Sequence, residues 1–309
     1  MEYKNLSNIK ISKIGMGTWG ISGDWGIKFT EDYILDLFSH AFNRGINYFD
    51  TAPVYGNGLI ETIIGKFKNR NKLIISTKIP AIKKPDLSSQ SSIKDFYQKD
   101  YIDKILYSSL KRLNRECIDL LMLHNWHPDW NKDCFEIIEY LNSLKEEKRV
   151  RAIGISLPNY MNQGFDDIDG LELIDFFMIP LNLIQQWPID YIKNVKTKKE
   201  IFIIARSVFE QGLLIEDFKK IDKNKECFLK EKNGKKIRET IKQRDDFYKT
   251  INIDNRAAYC MNFCFTYGAD IVMLGMNSKG EIDENINNLN NKFDKNNFVV
   301  ARKNYLSKK

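Results

Sequence analysis

Residues 15–20 read GMGTWG. The spacing is G-x-G-x-x-G, the glycine pattern of a dinucleotide-binding turn, and the stretch before it, IKISKI (9–14), reads as a strand. In a doubly wound sheet the third glycine leads directly into a helix whose N-terminus receives a pyrophosphate. Here Gly20 is followed by ISGDWGIKFT (21–30), with further glycines at 23 and 26 and no apolar period of 3.6 residues. The first helical pattern starts at Thr30. The context that a phosphate turn needs is missing. The glycines instead read as a loop after a first strand, with Trp19 and Trp25 projecting toward a ligand cavity.

Outward from that loop the chain alternates. Short apolar runs occur at INYFD (46–50), KLIISTK (72–78), IDLLMLH (118–124), VRAIGIS (150–156), IDFFMIP (174–180), IFIIARS (201–207) and DIVMLG (270–275). Runs of this kind are strands buried on both faces, as in a parallel sheet. Amphipathic stretches lie between them. In TEDYILDLFSHAFNRG (30–45), Thr30 reads as the N-cap, Gly45 as the stop, and Ile34, Leu37, Phe38, Ala41 and Phe42 share one face. With SKIGMG (12–17) as the first strand, eight strand–helix units follow without a linker. The expectation is an α/β fold, a (β/α)8 TIM barrel forming a single domain over 1–309, preceded by an N-terminal β-hairpin. A lysine-rich stretch from about 215 to 254 interrupts the alternation. It reads as a βα insertion containing a helix, and it should sit over the barrel mouth.

Composition narrows the function. Lys and Arg exceed Asp and Glu by 48 to 41, a net charge of +7. The excess is spread out, and no basic run is interleaved with aromatics, so a nucleic-acid partner is not expected. None of the cysteines, at 117, 134, 227, 260 and 264, forms a C-x-x-C pair, and only His40, His124 and His127 are present, so no metal is expected. Reduced thiols, the lack of a signal-peptide pattern and the absence of any apolar run of about 18 residues point to a cytoplasmic protein that does not engage a membrane.

Polar residues at the C-terminal ends of barrel strands are the catalytic candidates. They are Asp50 closing INYFD, Lys78 closing LIISTK and His124 closing IDLLMLH, with Tyr55 just beyond in DTAPVYGNG (50–58). A phenol titrates near pKa ~10 and gives up a proton more readily beside an ammonium. Asp would hold the Lys charged and positioned, and a neutral imidazole would orient a carbonyl oxygen. The set can protonate a carbonyl as a nucleophile attacks its carbon. Two other readings use the same residues: a Schiff-base lyase with Lys78 as nucleophile, and a regulatory barrel that binds nicotinamide with little turnover.

Taken together, GMGTWGISGDWG (15–26), GINYFDTAPVYGNGLIETIIGKF (45–67), STKI (76–79), DLLMLHNWHPD (119–129), VRAIGISLPN (150–159), IPLNLI (179–184), IARSVFEQGLL (204–214) and VMLGMNSKGEIDENI (272–286) resemble the aldo-keto reductase family. The resemblance implies reduction of an aldehyde or ketone by NAD(P)H, with Tyr55 as general acid, Lys78 lowering its pKa, Asp50 pairing with Lys78 and His124 orienting the carbonyl. It implies an extended cofactor across the barrel mouth, touching Gly17, Thr18, Trp19, Ser156, Asn182, Arg206, Ser207, Gly212, Leu213, Gly275, Asn277, Lys279, Glu284 and Asn285. Leu157 stands where the family has Asn, Met178 where it has Gln, and Arg206 where a stacking aromatic is common. Asn277 takes the usual place of the base for a 2′-phosphate, and nearby Lys279 is the reason to expect NADP(H) over NAD(H). Trp19, Trp25 and Trp126 are expected to line a pocket for a small-molecule carbonyl substrate, sugar-like or aromatic.

Overall fold

The computed structural model describes residues 1–86, 91–161, 163–216, 234–251, 253–291, 293 and 295–306. Strands β1 (Tyr3–Leu6) and β2 (Ile9–Ser12) form an antiparallel hairpin. Eight parallel strands then close a barrel: β3 (Ile14–Gly17), β4 (Tyr48–Asp50), β5 (Ile74–Pro80), β6 (Ile118–His124), β7 (Val150–Ser156), β8 (Phe176–Pro180), β9 (Phe202–Arg206) and β10 (Ile271–Gly275), with β10 paired to both β9 and β3. Each apolar run in the sequence supplies one strand. The stretch IKISKI divides at Lys13. Its first part completes the hairpin, and its end starts the barrel.

The hairpin plugs the barrel. Leu6, Ile9 and Ile11 join Leu120, Met122, Phe176, Phe202 and Ile204 in one buried cluster inside the strands. A larger cluster lies between strands and helices, and it takes Ile34, Leu37, Phe38 and Ala41 from the helix Glu31–Asn43. That helix starts where the sequence indicates. The Thr30 hydroxyl accepts the Tyr33 N–H at 3.3 Å, and Gly45 follows the helix at φ +91°, a conformation that favours glycine.

The motif GMGTWG is resolved by its neighbours. A Cβ on Gly15 would lie 2.4 Å from Met273 Cε and 2.7 Å from a Tyr48 ring carbon, inside the barrel. A Cβ on Gly20 would lie 2.6 Å from Asn277 Oδ1. Gly15 makes room for side chains of β10 and β4 and Gly20 for Asn277 beyond β10, and no α-helix follows Gly20 directly.

One unit departs from the expected repeat. Between β7 and β8 the described residues form two 3-10 turns, Phe165–Asp167 and Leu171–Leu173, with no α-helix. Gly164 and Gly170, the latter at φ +79°, interrupt a stretch too polar for an amphipathic face. The other connections carry helices: Leu59–Lys66, Lys99–Leu113, Phe135–Glu146, Pro188–Lys198, Arg256–Thr266 and, after β10, Lys279–Asn288. In the irregular stretch, Gly234–Tyr248 is helical, and its Arg244 donates to the Leu213 and Glu216 carbonyls at 2.9 and 2.7 Å. The rest of that stretch, Cys227 included, lies largely outside the described residues. Among the described residues no helix is long and apolar enough to cross a membrane.

Buried charges pin the strands that carry the site. Glu61, fully buried in the helix Leu59–Lys66, accepts from Thr77 of β5 at 2.6 Å and from Arg112 at 2.7 Å. Asp119 of β6 takes the Ile75 N–H at 2.9 Å and pairs with Arg115 and Arg151.

Candidate active site

Strand register places the site. Asp50 ends β4 opposite Ser76, His124 ends β6 opposite Pro80, Ser156 ends β7 opposite Met178, and Arg206 ends β9 opposite Pro180. Lys78 does not close its strand as the sequence suggests, because β5 runs on to Pro80. Side chains alternate along a strand. Thr77 turns outward to Glu61, so Ser76 and Lys78 turn inward to Asp50.

Lys78 Nζ donates to both Asp50 oxygens, at 2.9 and 2.7 Å, and to the Thr51 carbonyl at 2.8 Å. Ser76 Oγ donates to Asp50 Oδ1 at 2.7 Å and accepts from the Tyr48 hydroxyl at 3.0 Å. Both members of the ion pair are buried. Burial opposes the Lys78 charge, but Asp50 and Tyr55 outweigh it and hold the ammonium above its ordinary range. The ammonium lies 4.7 Å from the centre of the Tyr55 ring. Tyr55 itself sits in the turn after β4, its N–H bonded to the Ala52 carbonyl at 3.0 Å and its ring stacked on Trp19 at 6.4 Å.

The Tyr55 phenol differs from the sequence expectation. Burial is the largest influence and raises it; Lys78 pulls it down, Asp50 pushes it up, and the balance stays above the ordinary phenol value. Lys78 therefore offsets part of the cost of burying a phenolate without making Tyr55 acidic at rest. The hydroxyl keeps its proton at neutral pH.

His124 is neutral. Burial, then the charges of Lys78 and Arg206, lower it from 6.5 to about 3. Below pH 6.5 the unfolded chain takes up a proton that folded His124 refuses, so stability falls as pH drops from 6.5 toward about 3 and is flat above it. We expect urea midpoints across that window to fall less steeply in His124→Asn than in the parent chain. Equal slopes would rule out this origin.

These side chains line a cavity of about 1480 Å³ at the C-terminal mouth of the barrel. It is roomier than the roughly 300–1,000 Å³ of sites for drug-sized molecules. Asp50, Tyr55, Lys78 and His124 all reach it. So do Gly17, Thr18, Trp19, Trp25, Ser156, Met178, Arg206, Ser207, Gly212, Gly275, Asn277, Glu284 and Asn285. Ser156 Oγ is buried without a hydrogen-bond partner, as is Arg206 Nε, and both belong to lining residues. Buried polar atoms are normally satisfied, so these two fit the amide and ring of a nicotinamide. Ser156→Ala should weaken dinucleotide binding about tenfold, as loss of one hydrogen bond does, with no loss of stability because no internal bond is broken. Calorimetric titration beside thermal unfolding checks it; an unchanged affinity would refute the contact.

Four of the residues expected to make contacts do not line this cavity. Trp126 is 1% exposed; its Nε1 donates to Asn131 Oδ1 at 2.9 Å and its ring packs on Trp130, away from the cavity. Asn182 is fully buried and buttresses the next loop, donating to the Ser207 carbonyl at 2.8 Å and to Glu210 at 2.9 Å. Leu213 is buried against Ile237. Lys279, the residue behind the expectation of NADP(H), pairs with Asp36 at 2.7 Å. Leu157 is buried in the core, so its departure from the family leaves the cavity wall to Asn159, two residues on. Sequence reasoning missed Asn159, which accepts from Arg206 at 3.1 Å, and also Glu281 and Arg256. Only Glu281 had a legible signal, the S-x-x-E spacing of a helix start after Ser278.

A closed parallel barrel with a buried Asp–Lys pair, a tyrosine and a neutral histidine at its C-terminal mouth defines a class of barrel oxidoreductases. A family model described as the Aldo/keto reductase family matches residues 13–302, and the chain belongs to that family. It is similar to the aldo-keto reductase YhdN of Bacillus subtilis (strain 168), with 31% identity over 193 residues, covering 60% of this chain and 55% of that protein. It is also similar to the NADH-specific methylglyoxal reductase of Escherichia coli (strain K12), with 32% identity over 160 residues, 48% of this chain and 49% of that one. These matches span about half the length of the curated relatives. Among solved structures, the holo form of aldo-keto reductase AKR11C1 from Bacillus halodurans superposes with a TM-score of 0.74 over 98% of this chain and 96% of that chain. At 20% identity this establishes the fold.

Proposed function

We propose that the chain reduces an aldehyde or ketone to an alcohol with a reduced nicotinamide dinucleotide, using Tyr55 as general acid. The observation that carries this reading is the buried Asp50–Lys78 pair placed against the Tyr55 ring, with neutral His124 on the same cavity wall. A reduced nicotinamide bound in this cavity would supply the hydride for the carbonyl carbon. Tyr55 donates its proton to the carbonyl oxygen as negative charge develops there. Lys78 stabilises the phenolate left behind, and Asp50 keeps Lys78 charged and in place. His124, with no charge of its own, offers a ring N–H that fixes the carbonyl oxygen beside Tyr55. Ser156 and Arg206 would hold the nicotinamide, and Ser207 and Gly212 the bridge to the adenosine.

The Schiff-base alternative needs Lys78 as a neutral amine, and the same ion pair holds it as an ammonium. A purely regulatory barrel has no use for a buried proton-delivery pair. Trp19 and Trp25 form an edge-to-face pair 5.1 Å apart on the cavity wall, a surface for the apolar or ring-shaped part of a small carbonyl substrate. We further propose that 1–309 acts as one domain; at the two ends of the stretch from about 215 to 254, Ile215 and Glu216 and then Ile253 and Asp254 line the cavity. The test is a titration and a screen. NADH or NADPH should quench fluorescence from Trp19 and Trp25, and a panel of aldehydes, ketones and aldoses should then drive loss of the reduced cofactor. No quenching and no oxidation across the panel would overturn the reading.

A further inference from the structure

Two loops meet at Tyr55. The loop after β3 starts on the end of β4, where the Thr18 N–H and hydroxyl both donate to the Asp50 carbonyl, at 3.1 and 2.8 Å. Six residues later it returns to the turn that carries Tyr55. Asp24 Oδ2 accepts the Gly56 N–H at 3.2 Å and lies 2.7 Å from the Ser22 hydroxyl, which is also 2.7 Å from the Trp19 carbonyl. The approach is close. Gly56 has φ +57°, and a Cβ there would lie 2.8 Å from the Ser22 carbonyl oxygen. Between the two ties Trp19 stacks on the Tyr55 ring, and Trp25 packs edge-to-face on Trp19. Asp24 itself lines the cavity.

The Gly56 N–H belongs to the peptide unit that leaves Tyr55. That unit is planar, so a bond that fixes its N–H also fixes ψ of Tyr55. The peptide unit that enters Tyr55 is held from within the turn, by the Ala52 carbonyl at 3.0 Å. The unit that leaves it is held from outside, by Asp24. Together the two planes set the direction of the Cα–Cβ bond, and the phenol oxygen, at the far end of the side chain, magnifies any error in that direction.

We propose that Asp24 is a positioning residue for carbonyl reduction: by holding the Gly56 N–H from the neighbouring loop, it keeps the Tyr55 hydroxyl aimed at the carbonyl oxygen. The proposal rests on the reading of Tyr55 as general acid. Asp24 serves as a hydrogen-bond acceptor, so an amide oxygen in its place can do the same work.

The experiment is single-turnover and steady-state reduction by the full chain, with saturating reduced dinucleotide. Asp24→Ala should lower kcat about tenfold, the scale of a slightly misplaced reacting group, and leave KM within about twofold, because the carbonyl still meets His124 and the same cavity wall. Asp24→Asn should recover most of the loss. In a Tyr55→Phe background, Asp24→Ala should cost nothing further, since a residue that acts only through Tyr55 has nothing left to aim. Hydrogen exchange in the peptide spanning 52–58 should quicken in Asp24→Ala and stay near the parent rate in Asp24→Asn. The proposal is overturned if Asp24→Ala keeps the parent kcat, if KM rises instead, which would make Asp24 a substrate contact, or if Asp24→Asn is as slow as Asp24→Ala. It is equally overturned if the loss persists in the Tyr55→Phe background, as a general loosening of the fold would cause, or if exchange over 52–58 does not change. If the parent chain reduces no carbonyl compound, the functional reading itself fails, and this proposal fails with it.

Discussion

Tyr55→Phe is expected to lower carbonyl reduction by about a thousandfold, in line with loss of a positioned general acid, while the affinity for the reduced dinucleotide changes less than about twofold. The variant removes one oxygen atom and keeps the ring that stacks on Trp19 and faces the Lys78 ammonium. The cavity wall therefore survives, and only proton delivery is lost. Neither neighbour replaces it. Lys78 is committed to Asp50 and the Thr51 carbonyl, and His124 is neutral with its pKa near about 3. Because burial keeps the Tyr55 phenol protonated, the parent chain should reduce its substrate at a pH-independent rate through neutrality and lose activity only above the ordinary phenol range. Single-turnover loss of reduced cofactor, measured across pH with binding followed by calorimetry, checks both statements. Turnover within tenfold of the parent chain would remove Tyr55 from the proposed role.

The parts of this site that were legible before the structure share one physical cause. A parallel strand buried on both faces writes its extent into the sequence as an apolar run, and its C-terminal end marks the barrel mouth. Asp50, His124, Ser156 and Arg206 lie at such ends and were found from the runs alone or with the family resemblance. Beyond the strand ends the signal weakens, because loops set side-chain direction through contacts distant in sequence. Trp126 follows His124 closely, yet a hydrogen bond to Asn131 turns it into the core. Lys279 is near the cavity in sequence, and Asp36 on another helix draws it outside. The Tyr55 phenol failed for a different reason. A neighbouring ammonium can be read from residue types, but burial cannot, and burial is the larger influence. The missing fifth helix was legible as well: glycines at 164 and 170 flank a polar stretch without a helical period, and the regularity of the other units obscured it.

Lys78→Met should have two effects that a second substitution separates. Methionine approximates the volume of the lysine stem but carries no charge, so Asp50 is left buried beside an apolar side chain. Breaking one partner of a buried pair typically costs about 3–5 kcal/mol. Ser76 still donates to Asp50 Oδ1 at 2.7 Å, so the lower end of that range is expected here. Reduction should fall at least as far as in Tyr55→Phe, since the phenolate formed on proton transfer has lost its counter-charge. Adding Asp50→Asn removes the orphaned charge and leaves an amide that still accepts from Ser76. The double variant should recover most of the lost stability and none of the activity, measured by urea unfolding beside single-turnover reduction. If the pair served the fold alone, activity would return with stability. If Lys78 acted without Asp50, Asp50→Asn by itself would leave the rate intact. The buried pair reads as catalytic machinery only if stability is rescued and the rate is not, because that outcome assigns the ammonium to the phenolate and the carboxylate to the ammonium.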